Sequence, residues 1–234
     1  MAILNYAPSR YPYFDIIYQD ESMLVLNKPS GLLTVPGKAL EHKDSLQLRV
    51  KRAFPTATIV HRLDMATSGL IVLALNMDSH RKISKAFELR QTSKSYIARV
   101  FGKLKEEQGS IDLPLICDWP NRPKQMVDHE RGKQALTHYK CLASDEQESL
   151  VELTPITGRS HQLRVHMLSI GHPILGDRLY AHEQALQGAS RLQLHAQSLK
   201  LNHPLTNEPM AFECPSPFSF KSASGLTDIE HNGN

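Results

Sequence analysis

The stretch TIVHRLDMATSGLIVLAL, residues 58–75, sets a short polar segment between two apolar runs that are rich in β-branched residues. Short apolar runs of this kind predict buried strands. The polar segment contains Arg62 and Asp64 and leads into a Thr-Ser-Gly turn. Because a buried carboxylate is costly unless it is paired and hydrogen-bonded, the fold must supply partners for Asp64.

Composition places the chain among ordinary globular proteins. Its 234 residues are 41% hydrophobic and 22% charged, and they are enough to bury a substantial core. The three cysteines are scattered and form no CxxC pair, which indicates neither a disulfide framework nor a zinc site. No apolar run approaches the length of a membrane span, and the first residues lack the features of a secretory signal. We therefore expect a cytoplasmic protein with no membrane partner.

Charge permits a polyanionic partner without requiring one. The formal net charge of +3 is too small to identify a nucleic-acid-binding protein by itself. Basic residues nevertheless cluster in residues 79–94 and in residues 119–133, around the only Trp. These patches could contact a phosphate backbone, or they could be a solvated helix face and a polar loop.

Periodicity predicts more strands than helices. A hairpin is expected in residues 15–31, and neighbouring antiparallel strands are expected in residues 134–143 and 149–157. Since the strands do not alternate strictly with the helices, the predicted fold class is α+β, with a mixed, largely antiparallel β-sheet and flanking helices. Three helices are expected, with the N-caps Asp44, Asp78 and Ser160.

The pattern predicts one domain, because neither an internal repeat nor a long linker divides the chain. We expect this domain to span residues 15–221, after an N-terminal arm of residues 1–14. The last segment, residues 222–234, is polar and without periodicity, and we expect it to be a disordered tail.

Several chemistries are disfavoured by spacing. The segment HRLD differs from the kinase catalytic loop because Leu63 separates Arg62 from Asp64. The segment GLLTVPGKA does not match the spacing of a phosphate-binding loop. His161 and His166 lie five positions apart on a predicted helix, so they cannot share a metal-ligand face. We therefore expect no metal site, and neither nucleotide hydrolysis nor phosphotransfer.

Arg164 is a candidate partner for Asp64. It borders the apolar stripe of Leu163 and Met167 on the third predicted helix, so its guanidinium could turn inward. A bidentate pair with Asp64 would keep that carboxylate ionised, as a carboxylate nucleophile requires. A purely structural ion pair is the alternative interpretation.

Three segments in order resemble the signature motifs of the RluA family of pseudouridine synthases. They are HRLDMATSGLIVLA, KSYIARV and PITGRSHQLRVHM, at residues 61–74, 94–100 and 155–167. The flanking segments NKPSGLLTVPG, HPILGDRLY and LHAQSLKLNHP also match, and the similarity runs from about Tyr13 to Phe218. A further segment, DLPLICDWPNRPKQ, resembles a dual-specificity member of the family that acts on 23S rRNA and tRNA.

The resemblance implies the pseudouridine synthase catalytic fold, with a central active-site cleft. It implies that Asp64 is the catalytic aspartate, which attacks the target uridine so that the base is detached, rotated and rejoined to the ribose through C5. No cofactor is needed for this redox-neutral isomerisation. By the same resemblance Arg164 pairs with the aspartate, and Tyr96 stacks on the flipped base and is a candidate for proton transfer.

The implied substrates are structured RNAs, a 23S rRNA hairpin and the tRNA anticodon stem-loop, bound by a monomer. Many relatives carry an additional N-terminal RNA-binding module, whereas we expect this chain to have only a short arm before Asp15. Arg62 would fill the space left by the flipped uridine, or it could form a second salt bridge to Asp64. Leu163 and Ile71 are expected to be pocket wall or core. The candidate contacts to the RNA backbone are Lys28, Arg81 and Arg122.

Two other classes of function remain open from the sequence. A non-enzymatic RNA-binding protein would need the basic patches but not Asp64. A glycosidase or nucleoside hydrolase would generally need a second carboxylate, and none is evident near Asp64 in the sequence.

Overall fold

Residues 6–220 are described by the computed structural model, and they contain twelve strands and four α-helices. The strands are β1 (Asp15–Gln19), β2 (Met23–Lys28), β3 (Thr58–Ile59), β4 (Ser68–Ala74), β5 (Ser93–Phe101), β6 (Gln108–Asp112), β7 (Leu115–Cys117), β8 (Gln125–Val127), β9 (Leu136–Ser144), β10 (Glu148–Pro155), β11 (Leu194–Asn202) and β12 (Pro209–Glu213). The helices are α1 (Leu46–Ala53), α2 (Met77–Glu88), α3 (Gln162–Ser169) and α4 (Glu183–Gln187).

Ten of these strands form one sheet. Its order is β1-β2-β4-β11-β5-β10-β9-β6, with β3 paired to β4 and β12 paired to β11. Within residues 6–220 every strand pair of this sheet is antiparallel except β4 with β11, while β7 and β8 form a separate hairpin. The structure therefore confirms the α+β class, the largely antiparallel sheet and the two predicted strand pairs.

Strand β4 is buried along its whole length. Ile71 and Leu73 join a hydrophobic cluster that includes residues of α1. Leu70 and Val72 point the other way and join a cluster that includes Ile83 of α2. Because successive side chains of a strand alternate, the two helices cover opposite faces of β4 and fix the strand that follows Asp64.

Helix α3 is buried on all sides rather than amphipathic, with residues 162–167 all buried. Leu163 and Met167 pack against β5 and β10, as the predicted stripe requires. The polar residues of the helix are satisfied internally. Gln162, for example, donates to Leu136 O and to Thr137 Oγ1, both at 3.0 Å. The N-terminal end of a rigid, enclosed helix thus points into the site described below.

The three predicted helix caps are wrong by one or two residues. The two predicted carboxylates form ion pairs with basic residues of their helices instead. Asp44 accepts from Arg49, and Asp78 accepts from Lys82. A carboxylate can satisfy either a helix terminus or a nearby cation, and local sequence does not decide which. The observed caps are Ser45, Asn76 and His161, in place of Asp44, Asp78 and Ser160.

The described part of the N-terminal arm is packed rather than detached. The hydroxyl of Tyr6 donates to Asp44 O at 2.7 Å and accepts from Leu33 N at 3.0 Å. The predicted tail, residues 222–234, lies outside the described residues. Among the described helices, none is long and apolar enough to cross a membrane.

Candidate active site

Asp64 lies in the loop between β3 and β4, residues 60–67, which we call the Asp64 loop. Side chains from the end of β2 and from the segment that follows it donate hydrogen bonds to three backbone carbonyls of this loop. The pairs are Thr34 Oγ1 to Leu63 O at 2.7 Å, Ser30 Oγ to Ala66 O at 2.7 Å and Lys28 Nζ to Met65 O at 3.1 Å. The backbone around Asp64 is therefore held by residues 29 to 37 positions away in the chain.

Lys28 is fully buried against the Asp64 loop. Its ammonium also donates to Pro29 O at 2.9 Å and to Leu32 O at 2.8 Å. Burial lowers the pKa of Lys28 to about 7, although the nearby Asp64 carboxylate opposes this shift. The predicted contact of Lys28 with an RNA phosphate is thereby corrected, because a buried ammonium does not reach the surface.

Arg164 connects Asp64 to a second carboxylate. Its Nε and Nη2 donate to Asp177 at 2.8 and 2.7 Å, while Nη1 donates to Asp64 Oδ2 at 3.3 Å. The guanidinium also lies over the Tyr180 ring, 5.0 Å from its centroid. The predicted bidentate pair between Arg164 and Asp64 is wrong, because the bidentate partner is Asp177. That fully buried pair orients the remaining N–H of Arg164 toward Asp64.

A cavity of about 1150 Å³ opens beside Asp64, lined also by Tyr96 of β5 and Leu163 of α3. Basic residues dominate its charged lining, although the whole chain is nearly balanced at 27 basic to 24 acidic residues. The lining therefore attracts an anionic ligand. Its basic members are Arg62, Arg90, Lys94, Arg122, Arg159 and Arg164, and its acidic members are Asp64 and Glu88.

Tyr96 keeps its proton in this environment. Burial, assisted by the negative charge of Asp64, raises the pKa of the Tyr96 hydroxyl well above its ordinary value. A neutral phenol can stack on an aromatic base and can donate a hydrogen bond. The state that the structure favours for Tyr96 is therefore the neutral phenol, not a phenolate base.

Comparison with known proteins shows the family of this chain. Residues 22–169 match the family model described as RNA pseudouridylate synthase. The chain belongs to the RNA pseudouridylate synthase family. Enzymes of this family are isomerases, and the family predicted from the three motifs is confirmed.

Two curated relatives carry the name dual-specificity RNA pseudouridine synthase RluA. The protein of Yersinia pestis is 58% identical over 204 residues, which cover 87% of this chain and 99% of the relative. The protein of Escherichia coli strain K12 is 53% identical over 220 residues, which cover 93% of this chain and 100% of the relative. Among solved structures, human RNA pseudouridylate synthase domain containing 1 aligns with a TM-score of 0.76 at 28% identity, over 91% of this chain and 87% of that one. This synthase therefore shares its mixed, mostly antiparallel fold with solved pseudouridine synthases.

The structure discriminates between the two roles considered for Arg62 in this synthase. Arg62 is exposed and lines the cavity. Among residues 6–220 the ion partners of Asp64 are Arg164 and His161, and Arg62 is not one of them. A second salt bridge from Arg62 to Asp64 is therefore not formed.

Besides Lys28, two predicted substrate-binding residues lie away from the cavity lining of the synthase. Ile71 is fully buried in the hydrophobic core on β4, whereas Leu163 both packs in the core and lines the cavity. Arg81 is exposed on α2, and its Nη2 lies 3.4 Å from the carboxylate of Asp78. The pocket wall is thus assigned to Leu163 rather than to Ile71.

Sequence reasoning missed three residues around Asp64: Asp177, Tyr180 and His161. The first two lie in the segment HPILGDRLY, which matched the family pattern without a role for any single residue. The Asp of this segment was the signal that could have identified a partner for Arg164. A buried arginine needs a carboxylate, and helix α3 itself does not supply one. Within the described chain, no group of three or more His, Cys, Asp or Glu side chains is arranged to hold a metal ion.

Proposed function

We propose that this synthase converts uridines of 23S rRNA and of the tRNA anticodon stem-loop into pseudouridine, with Asp64 as the nucleophile. The observation that carries the proposal is the environment of Asp64. Its Oδ2 contacts Arg164 at 3.3 Å. Its Oδ1 accepts no hydrogen bond from residues 6–220, and its side chain is 28% exposed toward a cavity with a basic lining. One carboxylate oxygen is thus stabilised and the other is available to attack.

The proposed reaction needs no redox partner. The N1–C1′ glycosidic bond of uridine breaks, the uracil turns within the cavity, and a C5–C1′ bond forms. The hydrogen on C5 leaves as a proton and N1 gains one, so atoms and electrons balance. The protein must supply a nucleophile, a cation that stabilises charge and walls that retain the detached base. Asp64, Arg164 and the cavity formed with Tyr96 and Leu163 match those needs.

The target base must leave the RNA helix to reach Asp64. We assign Arg62 to the space that the base leaves, because it is exposed at the cavity and has no ion partner among the described residues. Arg122 stacks on Trp119 at 4.7 Å and lines the cavity, which supports contact with the RNA backbone. The names of the relatives give a dual specificity for RNA. The choice of 23S rRNA and the tRNA anticodon stem-loop follows from the motif resemblance. We expect a cytoplasmic enzyme that acts as a monomer.

The test measures tritium released to water from RNA that carries tritium at C5 of uridine. Wild type should release tritium from unmodified rRNA and tRNA, and Asp64→Asn should reduce release below detection. Asp78→Asn is the matched control, since Asp78 lies on the exposed face of α2. Release by Asp64→Asn at the wild-type rate would exclude Asp64 as nucleophile. Binding of RNA without release by wild type would indicate a binding protein, and abasic RNA would indicate a hydrolase.

The substrate range is tested with isolated RNAs. A 23S rRNA hairpin and a tRNA anticodon stem-loop should each release tritium with wild type, whereas the same loops with the target uridine replaced by cytidine should not. Release from one RNA only would reduce the proposal to a single-substrate enzyme.

A further inference from the structure

His161 occupies a second position beside the nucleophile. It lies at the N-terminus of α3, and its Nε2 is 3.9 Å from Asp64 Oδ2, the oxygen that Arg164 also contacts. This separation exceeds a hydrogen bond by less than 1 Å. Contacts of this kind are often long without substrate and shorten in the reacting complex.

A chain of hydrogen bonds sets the position of the proton on His161. The backbone N–H of Gln125, in β8, donates to Tyr180 Oη at 2.8 Å. Among residues 6–220 the other partner of that oxygen is His161 Nδ1 at 2.6 Å. Because Tyr180 Oη already accepts from Gln125, we assign the phenolic proton to the hydrogen bond with Nδ1. Burial raises the pKa of Tyr180 to about 12 and lowers the pKa of His161, which keeps both groups neutral. A neutral imidazole that accepts at Nδ1 carries its hydrogen on Nε2, on the side of Asp64.

The backbone of His161 is also unusual. Its φ of 54° and ψ of 17° lie in the left-handed region, and its side chain forms no cap hydrogen bond with the helix that it precedes. Asn, Asp and His adopt this conformation more readily than other non-glycine residues. The imidazole forms no cap hydrogen bond with the helix, and it faces Tyr180 and Asp64 instead.

We propose that His161 is a positioning residue for Asp64. His161 donates its Nε2–H to Asp64 Oδ2, and His161 and Arg164 together leave Oδ1 of Asp64 free to attack. The Tyr180 hydroxyl and the Gln125 amide hold this tautomer, so the β7–β8 hairpin, whose connecting segment places Arg122 on the cavity, is linked to the nucleophile. This inference rests on the proposed function of Asp64.

Two substitutions of His161 separate positioning from stability. In His161→Gln the side-chain amide can place an N–H near the position of Nε2, whereas in His161→Asn it reaches only the position of Nδ1. Asn suits the left-handed backbone better than Gln, so a structural role predicts that His161→Asn is the less damaging change. The positioning role predicts the opposite order for activity. We expect His161→Asn to lower kcat by about 100-fold with KM unchanged, and His161→Gln to recover most of that loss.

Tyr180→Phe tests the origin of the tautomer. It removes the hydroxyl but keeps the ring over which Arg164 lies. The substitution should lower kcat in the wild-type background. In the His161→Gln background it should have little further effect, because Gln no longer presents the Nδ1 acceptor, and interacting residues give non-additive effects.

The readout is tritium release under saturating RNA, with urea unfolding as the stability control for every variant. No release by wild type would overturn the proposed function of Asp64. An active wild type with an inactive Asp64→Asn, but with equal kcat for His161→Gln and His161→Asn, would overturn the role of His161 alone. Multiplicative losses for Tyr180→Phe and His161→Gln would overturn the hydrogen-bond chain.

Discussion

The buried pair between Arg164 and Asp177 determines where the guanidinium can point. Arg164 could not remain charged in the core without a carboxylate, and Asp177, itself with no exposed side-chain surface, supplies two hydrogen bonds. The Nη1 group of the planar guanidinium then points toward Asp64 and donates to its Oδ2. The orientation of Arg164 toward Asp64 is thus a consequence of its pairing with Asp177.

Asp177→Asn should therefore reduce both stability and activity. Breaking a buried charge pair from one side leaves the other charge unpaired, and we expect a loss of about 3 kcal/mol in the free energy of unfolding, measured with urea. Tritium release should fall as well, since Arg164 would no longer be oriented. Glu146→Gln is the control, because it removes one partner of an exposed pair with Lys103 and should leave the urea midpoint unchanged. An Asp177→Asn midpoint equal to that of the control would contradict the prediction.

Lys28 should make stability depend on pH. Burial lowers its pKa from 10.5 in the unfolded chain to about 7 in the folded protein. Below pH 7 Lys28 is protonated in both the folded and the unfolded state. Between the folded pKa of about 7 and the unfolded pKa of 10.5, only the unfolded state holds the proton. The free energy of unfolding therefore rises with pH across this interval. The stability of wild type relative to Lys28→Met should increase between pH 7 and pH 9 in urea unfolding. Parallel pH profiles for the two proteins would show that Lys28 keeps its ordinary pKa.

At the scale of elements, three adjacent strands connect the Asp64 loop to Tyr96. Strand β4 follows the Asp64 loop, and its Gly69 pairs with Ala196 of β11. On its other side Ala196 pairs with Tyr96 of β5. The spacing between Asp64 and Tyr96 is therefore set by how closely β4 and β11 approach each other.

Gly69→Ala should separate these strands. Gly69 has a φ of +109°, and a Cβ there would lie 2.3 Å from the backbone oxygen of Ala196. We expect the free energy of unfolding to fall by more than about 2 kcal/mol and kcat to fall with it. For stability the control is Gly158→Ala, because no atom lies within 4 Å of a Cβ at that position. Similar urea midpoints for the two variants would contradict the close approach.

At the scale of the whole molecule, the distribution of charge should determine RNA binding more than the net charge does. A total of +3 is unremarkable, yet the lining of the cavity carries six basic and two acidic residues. A groove with one dominant sign of charge raises the local concentration of a polyanion. RNA binding should therefore weaken with salt, and it should depend on cavity residues rather than on basic residues elsewhere.

Arg62→Ala tests this distribution and the role proposed for Arg62. The slope of log Kd against log salt should fall by about 1 if Arg62 meets a phosphate, and Lys51→Gln on α1, outside the cavity, should leave the slope unchanged. If Arg62 also fills the space of the flipped base, the variant should lose more tritium release on a folded hairpin than on an unstructured strand. Equal losses on both RNAs would exclude the flipping role.

The sequence by itself determined the family of this protein and several of its elements. Alternation and periodicity identified the hairpin of β1 and β2, the pair of β9 and β10 and the apolar stripe of α3, because these patterns report burial within one element. Motif spacing identified Asp64, Tyr96 and Arg164 as candidates, and the structure places all three at one cavity.

Only the tertiary structure decided how those residues are supported. The bidentate partner of Arg164 is Asp177, the ammonium of Lys28 is buried against the Asp64 loop, and His161 faces Asp64 from a left-handed position. A charged side chain can be satisfied by any partner that the fold brings near, and local sequence cannot rank partners that lie far away in the chain. The contact between Arg164 and Asp64 joins residues 100 positions apart, so it exists only when the sheet has assembled.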